Sequence, residues 1–384
     1  MQKTQDWRRY CAWPENALSG NDVKLLRDGE EAFSSMLNAI GGARESVLLE
    51  FYAFSDDAVG RTFADLLMEK ARHGVQVFLI YDSVGSILTD RDLFLELAAA
   101  GVRVAEFRPV IFWKPYWNWI KRDHRKTVCV DGRAAFVGGF NITEYDAPRS
   151  MGGRGWKDTQ ALVRGPAVAA VERLFWEAWN ASTPVSGGKV PALPVAEPPP
   201  AGSKPASVVS AGGIRNVRSI RRSYRYAIDR AQDYIYITNA YFLPDRLVYR
   251  RLVKAARRGV DVRVIAPMDT DHPYVRWASW AMYAHMIKNG IKIYEWQGPI
   301  LHSKTAVIDG VWSSVGSHNL DHRSLHYNLE VNLNVYDGAF CGELARAFRE
   351  DLKRSRLVQL SDVRGRPFTA KAASKLLYLF RSWL

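Results

Sequence analysis

The apolar positions of this chain fall into two series that copy one another. Residues 46–54, SVLLEFYAF, form an apolar run that ends at an acidic turn, and residues 233–242, DYIYITNAYF, read the same way. Runs of this length bounded by turn residues predict buried strands. Each is followed by an amphipathic stretch, RTFADLLMEKARHGVQVFLIYD in one case and RLVYRRLVKAARRGVDVRVIAP in the other. These predict a helix closed at Gly74 or Gly259, then an alternating strand. AAAGVRVAEF and MIKNGIKIYEW add a further helix–strand unit to each half. Strands alternating with helices predict α/β sandwiches with mainly parallel sheets. A repeat this long exceeds a solenoid unit and predicts duplication of a whole domain. The expected architecture is two homologous α-β-α halves, pseudo-twofold related, with one site shared at their interface.

Between the halves the pattern lapses. Residues 181–213 hold seven of the 17 prolines and almost no aromatics, a composition that buries too little surface to offset its ordering entropy. The expected organisation is therefore a first domain at 1–180, a linker at 181–213 and a second domain at 214–384.

Composition narrows the partners. The 384 residues carry a formal charge of +13, which favours nucleic acid, an acidic membrane surface or phosphorylated substrates. Three scattered cysteines, Cys11, Cys129 and Cys341, offer neither a disulfide framework nor a zinc spacing and fit a reducing compartment. The first residues lack an apolar signal core, and no apolar stretch approaches the ~20 residues that span a bilayer.

Candidate chemistry lies at matching points of the repeat. The first half reads HRKTVCVDGRAAFVGGFN from His124 to Asn141, and the second reads HSKTAVIDGVWSSVGSHN from His302 to Asn319. Strand alternation puts His124 and Lys126 on one face, and His302 and Lys304 likewise. Asp-Gly at 131–132 and 309–310 predicts a turn, after which a short strand returns Asn141 or Asn319 to the site. Two lysines and two asparagines would cradle a phosphodiester, one imidazole would attack phosphorus and the other would protonate the leaving alcohol. No spacing calls for a metal or cofactor. Gly139 and Ser317, where backbone can approach a phosphate oxygen, and Glu50 and Asn239, at matching strand ends, are candidate substrate-binding positions. Asp131 and Asp309 stand with the catalytic candidates, although alternation points them to the opposite face and turn-forming or salt-bridging duty fits at least as well. Asp158 and Glu330, each opening an apolar strand after its motif, are candidates to hold the imidazoles in one tautomer.

The duplicated motif resembles the HKD motif of the phospholipase D superfamily. NDVKLLRDGEEAF, SVLLEFYAF, WKDT and VGSHNLDHRSLHYNLEVN are also similar to segments of bacterial cardiolipin synthases, most of all the shorter type without N-terminal membrane helices. The resemblance implies the two-domain fold, double displacement through phosphohistidine without metal, and a site of His124, Lys126, Asn141, His302, Lys304 and Asn319. It further implies His124 as nucleophile and His302 as acid.

Lipid is expected over nucleic acid for two reasons. Trp113, Trp117 and Trp119 stand among Arg108, Lys114, Lys121 and Arg122 just before the first motif, a composition suited to lipid headgroups or to base stacking. The C-terminal stretch puts Phe368, Leu376, Leu379, Phe380 and Trp383 on one helical face, suited to a membrane interface or to packing on its own domain. The resulting expectation is transfer of a phosphatidyl group from phosphatidylglycerol to a lipid alcohol by a peripheral protein on the cytoplasmic face of the bacterial inner membrane. A hydrolytic phospholipase D and a metal-independent nuclease or nucleic-acid binder are the alternatives.

Overall fold

A computed structural model describes residues 6–110, 120–212 and 219–381. The first half contributes β1 (Leu18–Leu26), β2 (Ser46–Phe51), β3 (Gln76–Asp82), β4 (Arg103–Phe107), β5 (Lys126–Val130), β6 (Ala134–Gly138), β7 (Gln160–Arg164) and the short β8 (Thr183–Pro184). The second contributes β9 (Lys204–Ala211), β10 (Tyr234–Asn239), β11 (Asp261–Pro267), β12 (Lys292–Trp296), β13 (Lys304–Ile308), β14 (Trp312–Gly316), β15 (Glu330–Val335) and β16 (Ser355–Leu357). All belong to one sheet ordered β16-β12-β11-β10-β13-β14-β15-β9-β1-β7-β6-β5-β2-β3-β4-β8. Read outward from the β9–β1 junction, the two arms have the same order, so the duplication seen in the sequence is a duplication of topology.

The expectation of mainly parallel sheets holds only for β2-β3-β4 and β10-β11-β12, where helices cross between strands. The remaining pairs are antiparallel. The Asp-Gly turns fold β5 onto β6 and β13 onto β14 as hairpins, and a hairpin leaves no chain for a parallel crossover.

A second correction concerns 181–213. Lys204–Ala211 within it is a strand that pairs antiparallel with both β15 and β1 and joins the arms. Its buried residues are mostly small, Ala206, Ser207, Ser210 and Ala211, which is why it lacks the apolar weight of an ordinary central strand.

Helices cover both faces. On one face Ala167–Ala181 and Gly338–Lys353 pack Trp176, Trp179, Phe340 and Phe348 into a core shared by strands of both halves. On the other, each half keeps its own core: Phe33, Phe63 and Leu67 in the first, Leu252, Tyr283 and Met286 in the second. The three cysteines are buried and form no disulfide.

Candidate active site

The two motifs meet at the centre of the sheet because each half reaches into the other. The backbone N–H of His124 donates to Leu329 C=O at 3.0 Å, and that of Leu329 to Arg122 C=O at 2.8 Å. The pattern repeats with the halves exchanged: His302 N–H donates to Lys157 C=O at 2.7 Å, and Lys157 N–H to Ile300 C=O at 2.8 Å. Each histidine is thus fastened beside the residue that precedes the other half's carboxylate, Glu330 at the start of β15 or Asp158 two residues before β7.

The side chains follow this exchange. His124 Nδ1 lies 3.0 and 3.1 Å from the two carboxylate oxygens of Glu330, and His302 Nδ1 lies 2.8 Å from Asp158 Oδ2. Donation from Nδ1–H fixes the tautomer and leaves each Nε2 available. The carboxylates are seated by their own halves. A Cβ on Gly139 would fall 2.2 Å from Asp158 Oδ2, so only glycine fits, while Ser317 at the matching position donates its hydroxyl to Glu330.

His124, His302, Asn141 and Asn319 line one cavity of about 610 Å³ beyond the carboxyl ends of β2, β3, β10 and β11. Lys126 and Lys304 lie fully buried beneath it, each ammonium donating to the carbonyl of its motif histidine. Burial lowers both lysines; Lys126 comes down to about 7 even though Glu330 opposes the shift. Burial, reinforced by Lys126 and Lys304, holds the His124 imidazole well below its ordinary value, so it is neutral at pH 7. Asn141 accepts from Ala53 N–H at 3.2 Å, and Asn319 Oδ1 is buried without a hydrogen-bond partner among the described residues.

The remaining candidates lie elsewhere. Asp131 and Asp309 are not at the site: Asp131 accepts the backbone N–H groups of Arg44, Glu45 and Ser46, and Asp309 those of Gln232, Asp233 and Tyr234 together with the Tyr10 hydroxyl. Both take left-handed backbone at φ 51 and 52 and tie the hairpin turn to the start of the adjacent strand. Glu50 faces the opposite side of the sheet, where Arg125 Nη1 and Thr127 Oγ1 donate to it at 3.3 and 3.2 Å. Asn239 is buried and accepts from Leu320 N–H at 3.0 Å, which steadies the loop carrying Asn319. Gly139 and Ser317 seat the carboxylates and do not line the cavity. Trp113, Trp117, Trp119 and Trp383 fall outside the described residues. The helix Phe368–Leu379 packs on Pro273–Lys288 yet leaves Phe368, Leu376, Leu379 and the following Phe380 exposed. Of the aromatic series on Pro273–Lys288, Tyr283 is core and Trp277 is exposed.

Sequence reasoning missed Asp146 and Arg323. Asp146 Oδ1 stands 3.9 Å from His302 Nδ1, and its other oxygen accepts from Thr143 Oγ1 at 2.8 Å. It follows Asn141 by five residues, and Ser324 follows Asn319 by the same five, so the repeat register marks a place where the half-sites differ in charge. Asp146, Asp158 and His302 present ligand atoms within 4.8 Å of one another, a spacing a cation can use. Asp158 is already engaged by the His302 Nδ1–H and, at 3.5 Å, by the Lys304 ammonium, so a cation there would have to displace both.

A duplicated sandwich with two His-x-Lys half-sites sharing one cavity is a phospholipase D-type fold. The chain belongs to the family described as "Cardiolipin synthase, PLD-like domain", whose profile matches residues 36–179 and 224–352. It is 34% identical over 361 residues to a cardiolipin synthase of Geobacillus kaustophilus, covering 93% of this chain and 71% of that one. Cardiolipin synthase 1 of Staphylococcus epidermidis is 32% identical over 375 residues, 96% of this chain and 76% of its own length. Among solved structures, phosphatidylserine synthase of Haemophilus influenzae superposes with a TM-score of 0.78 at 12% identity, covering 98% of this chain and all of the other. A polyphosphate kinase of Porphyromonas gingivalis gives 0.59 at 16% identity over 95% of this chain and 53% of its own. These two likenesses are of fold.

Proposed function

We propose that this protein is a phosphatidyltransferase that makes cardiolipin from phosphatidylglycerol. The observation that carries the chemistry is the pair of buried imidazoles, each held through Nδ1 by a carboxylate of the other half, on one cavity. The lipid reading rests on the family and on the names of the curated relatives.

His124 Nε2 attacks the phosphorus of phosphatidylglycerol, the bond from phosphorus to the glycerol oxygen breaks, and glycerol leaves with the proton of His302 Nε2. The phosphatidyl group is then on His124. His302, now neutral, takes the proton of an acceptor lipid hydroxyl, whose oxygen attacks phosphorus and releases His124. The division of roles follows the asymmetry of the half-sites. His124 is neutral, as a nucleophile must be, while His302 has two carboxylates, Asp158 and Asp146, within 3.9 Å of Nδ1, which orient its ring so that Nε2 can serve as the proton donor. Lys126, Lys304, Asn141 and Asn319 would stabilise the charge that gathers on the phosphoryl oxygens.

Lipid must reach the cavity from a bilayer. No helix among the described residues is long and apolar enough to cross a membrane. Ile87 and Leu88, 62% and 99% exposed, stand at the cavity mouth with Tyr274, and Trp277 is exposed one helical turn further on. Phe368, Leu376, Leu379 and Phe380 are exposed as well, and we assign these residues to membrane contact by a peripheral protein on the cytoplasmic face of the bacterial inner membrane. The +13 charge would favour anionic lipid.

The test is purified protein with phosphatidylglycerol vesicles in EDTA, beside an oligonucleotide control. Cardiolipin should be the main product, with glycerol equal to the sum of cardiolipin and any phosphatidic acid. Cleavage of the oligonucleotide with untouched lipid would replace this reading by a nuclease.

A further inference from the structure

The reacting phosphodiester accounts for both histidines, both lysines and both asparagines, and leaves one cation of the cavity without a task. Arg323, on the short helix His322–His326, lines the cavity half-buried, within electrostatic reach of His124, Tyr52 and Tyr274. Other arginines around the site are answered by carboxylates: Arg122 by Asp82 at 3.5 Å and Arg125 by Glu50 at 3.3 Å. Among the described residues no carboxylate lies within ion-pair distance of Arg323. Its neighbour Asp321 is turned to cap the helix, accepting from Ser324 N–H at 2.7 Å. Burial also pushes the Asp321 carboxyl up to about 7, so at neutral pH it is a partial counter-charge at most.

A guanidinium held over a cavity without a carboxylate is uncompensated until an anion arrives, and its planar fork matches phosphate. Cardiolipin synthesis supplies that anion. The acceptor lipid carries a phosphate of its own beside the hydroxyl that attacks, whereas water, the competing acceptor, carries none. We propose that Arg323 binds the phosphate of the acceptor phospholipid and so directs the phosphatidyl-enzyme toward a lipid alcohol and away from water. This rests on the phosphatidyl-transfer reading above.

The experiment is a partition measurement. Wild-type, R323Q and R323K proteins are given phosphatidylglycerol vesicles in EDTA, and cardiolipin and phosphatidic acid are quantified from the same reaction. Both products descend from one intermediate, so their ratio does not depend on how much protein is folded or on how fast the intermediate forms. R323Q should lower the cardiolipin-to-phosphatidic-acid ratio by about tenfold or more, the scale of one lost charge-assisted contact. R323K, which keeps the charge without the fork, should fall between. An unchanged ratio with a reduced total rate overturns the assignment and leaves Arg323 a general structural or electrostatic role. A wild-type protein that makes no cardiolipin overturns the transfer reading itself, and this assignment with it.

Discussion

Glu330, in the second half of the chain, holds His124, in the first, with both carboxylate oxygens within 3.1 Å of Nδ1. The contact and its counterpart between Asp158 and His302 mean that neither half owns a complete histidine–carboxylate pair. Replacing the carboxylates by amides keeps shape and removes the charge that supports the imidazolium. E330Q and D158N should each lower turnover by about 10²–10⁴-fold, the range seen when a catalytic imidazole loses such support. Circular dichroism and melting temperature should stay near wild type. Wild-type turnover in either variant would contradict the pairing.

Asp131 gives the opposite prediction. It accepts three backbone N–H groups and is remote from the cavity, so D131A should cost about 1–3 kcal/mol of stability by orphaning those donors. Activity per folded molecule should be retained. Denaturant melts combined with a rate normalised to the folded fraction will check this; a stable but inactive variant would return Asp131 to the catalytic set.

Lys126 sets the alkaline limit. Lys126 sits near 7 in the free protein, lowered first by burial, and its positive charge is present below that value and lost above it. The rate at low substrate, kcat/KM, should therefore decline as pH rises through about 7, while His124, held well below its ordinary value, stays a neutral nucleophile across the same range. K126R keeps its charge, so the alkaline decline should move to higher pH although the maximum rate falls. A pH profile of K126R that superposes on wild type would show that Lys126 does not limit the reaction there.

The sequence made the duplication, the two His-x-Lys faces and the carboxylates legible, because each depends on local periodicity repeated in register. Which carboxylate serves which histidine was not legible. That depends on the backbone bridges Asp123–Leu329 and Lys157–Leu301, which join residues far apart in sequence. β9 escaped notice because its buried side chains are small and it lies behind a proline-rich stretch. Glu50 misled because its alignment with Asn239 is one residue out of register: Phe51 pairs with Lys126 as Asn239 pairs with Lys304, so Glu50 is the counterpart of Thr238 and takes the other sheet face. Asp131 and Asp309 shared motif spacing with the catalytic residues, yet the spacing serves the turn. Arg323 is significant only because no carboxylate among the described residues pairs with it, which a linear chain does not display.

Membrane docking should reside in the exposed apolar residues. I87S/L88S at the cavity mouth, and L376S/L379S/F380S on the C-terminal helix, should each weaken co-sedimentation with anionic vesicles by roughly tenfold or more, about 1.5–3 kcal/mol being available from each large apolar side chain fully buried. Cleavage of a soluble short-chain phosphodiester should fall much less than the rate on vesicles. Equal losses on both substrates would place these residues in the fold and not at the membrane.

The central claim is a covalent phosphatidyl group on His124, built by a site that both halves complete. The direct measurement is rapid quench of the protein with acyl-labelled, short-chain phosphatidylglycerol, followed by proteolysis and mass spectrometry of the two motif peptides. The account predicts an acid-labile adduct on the peptide containing His124, reduced to background in E330Q, with the His302 peptide unlabelled. An adduct on His302, or full turnover through which neither histidine is ever labelled, would contradict it.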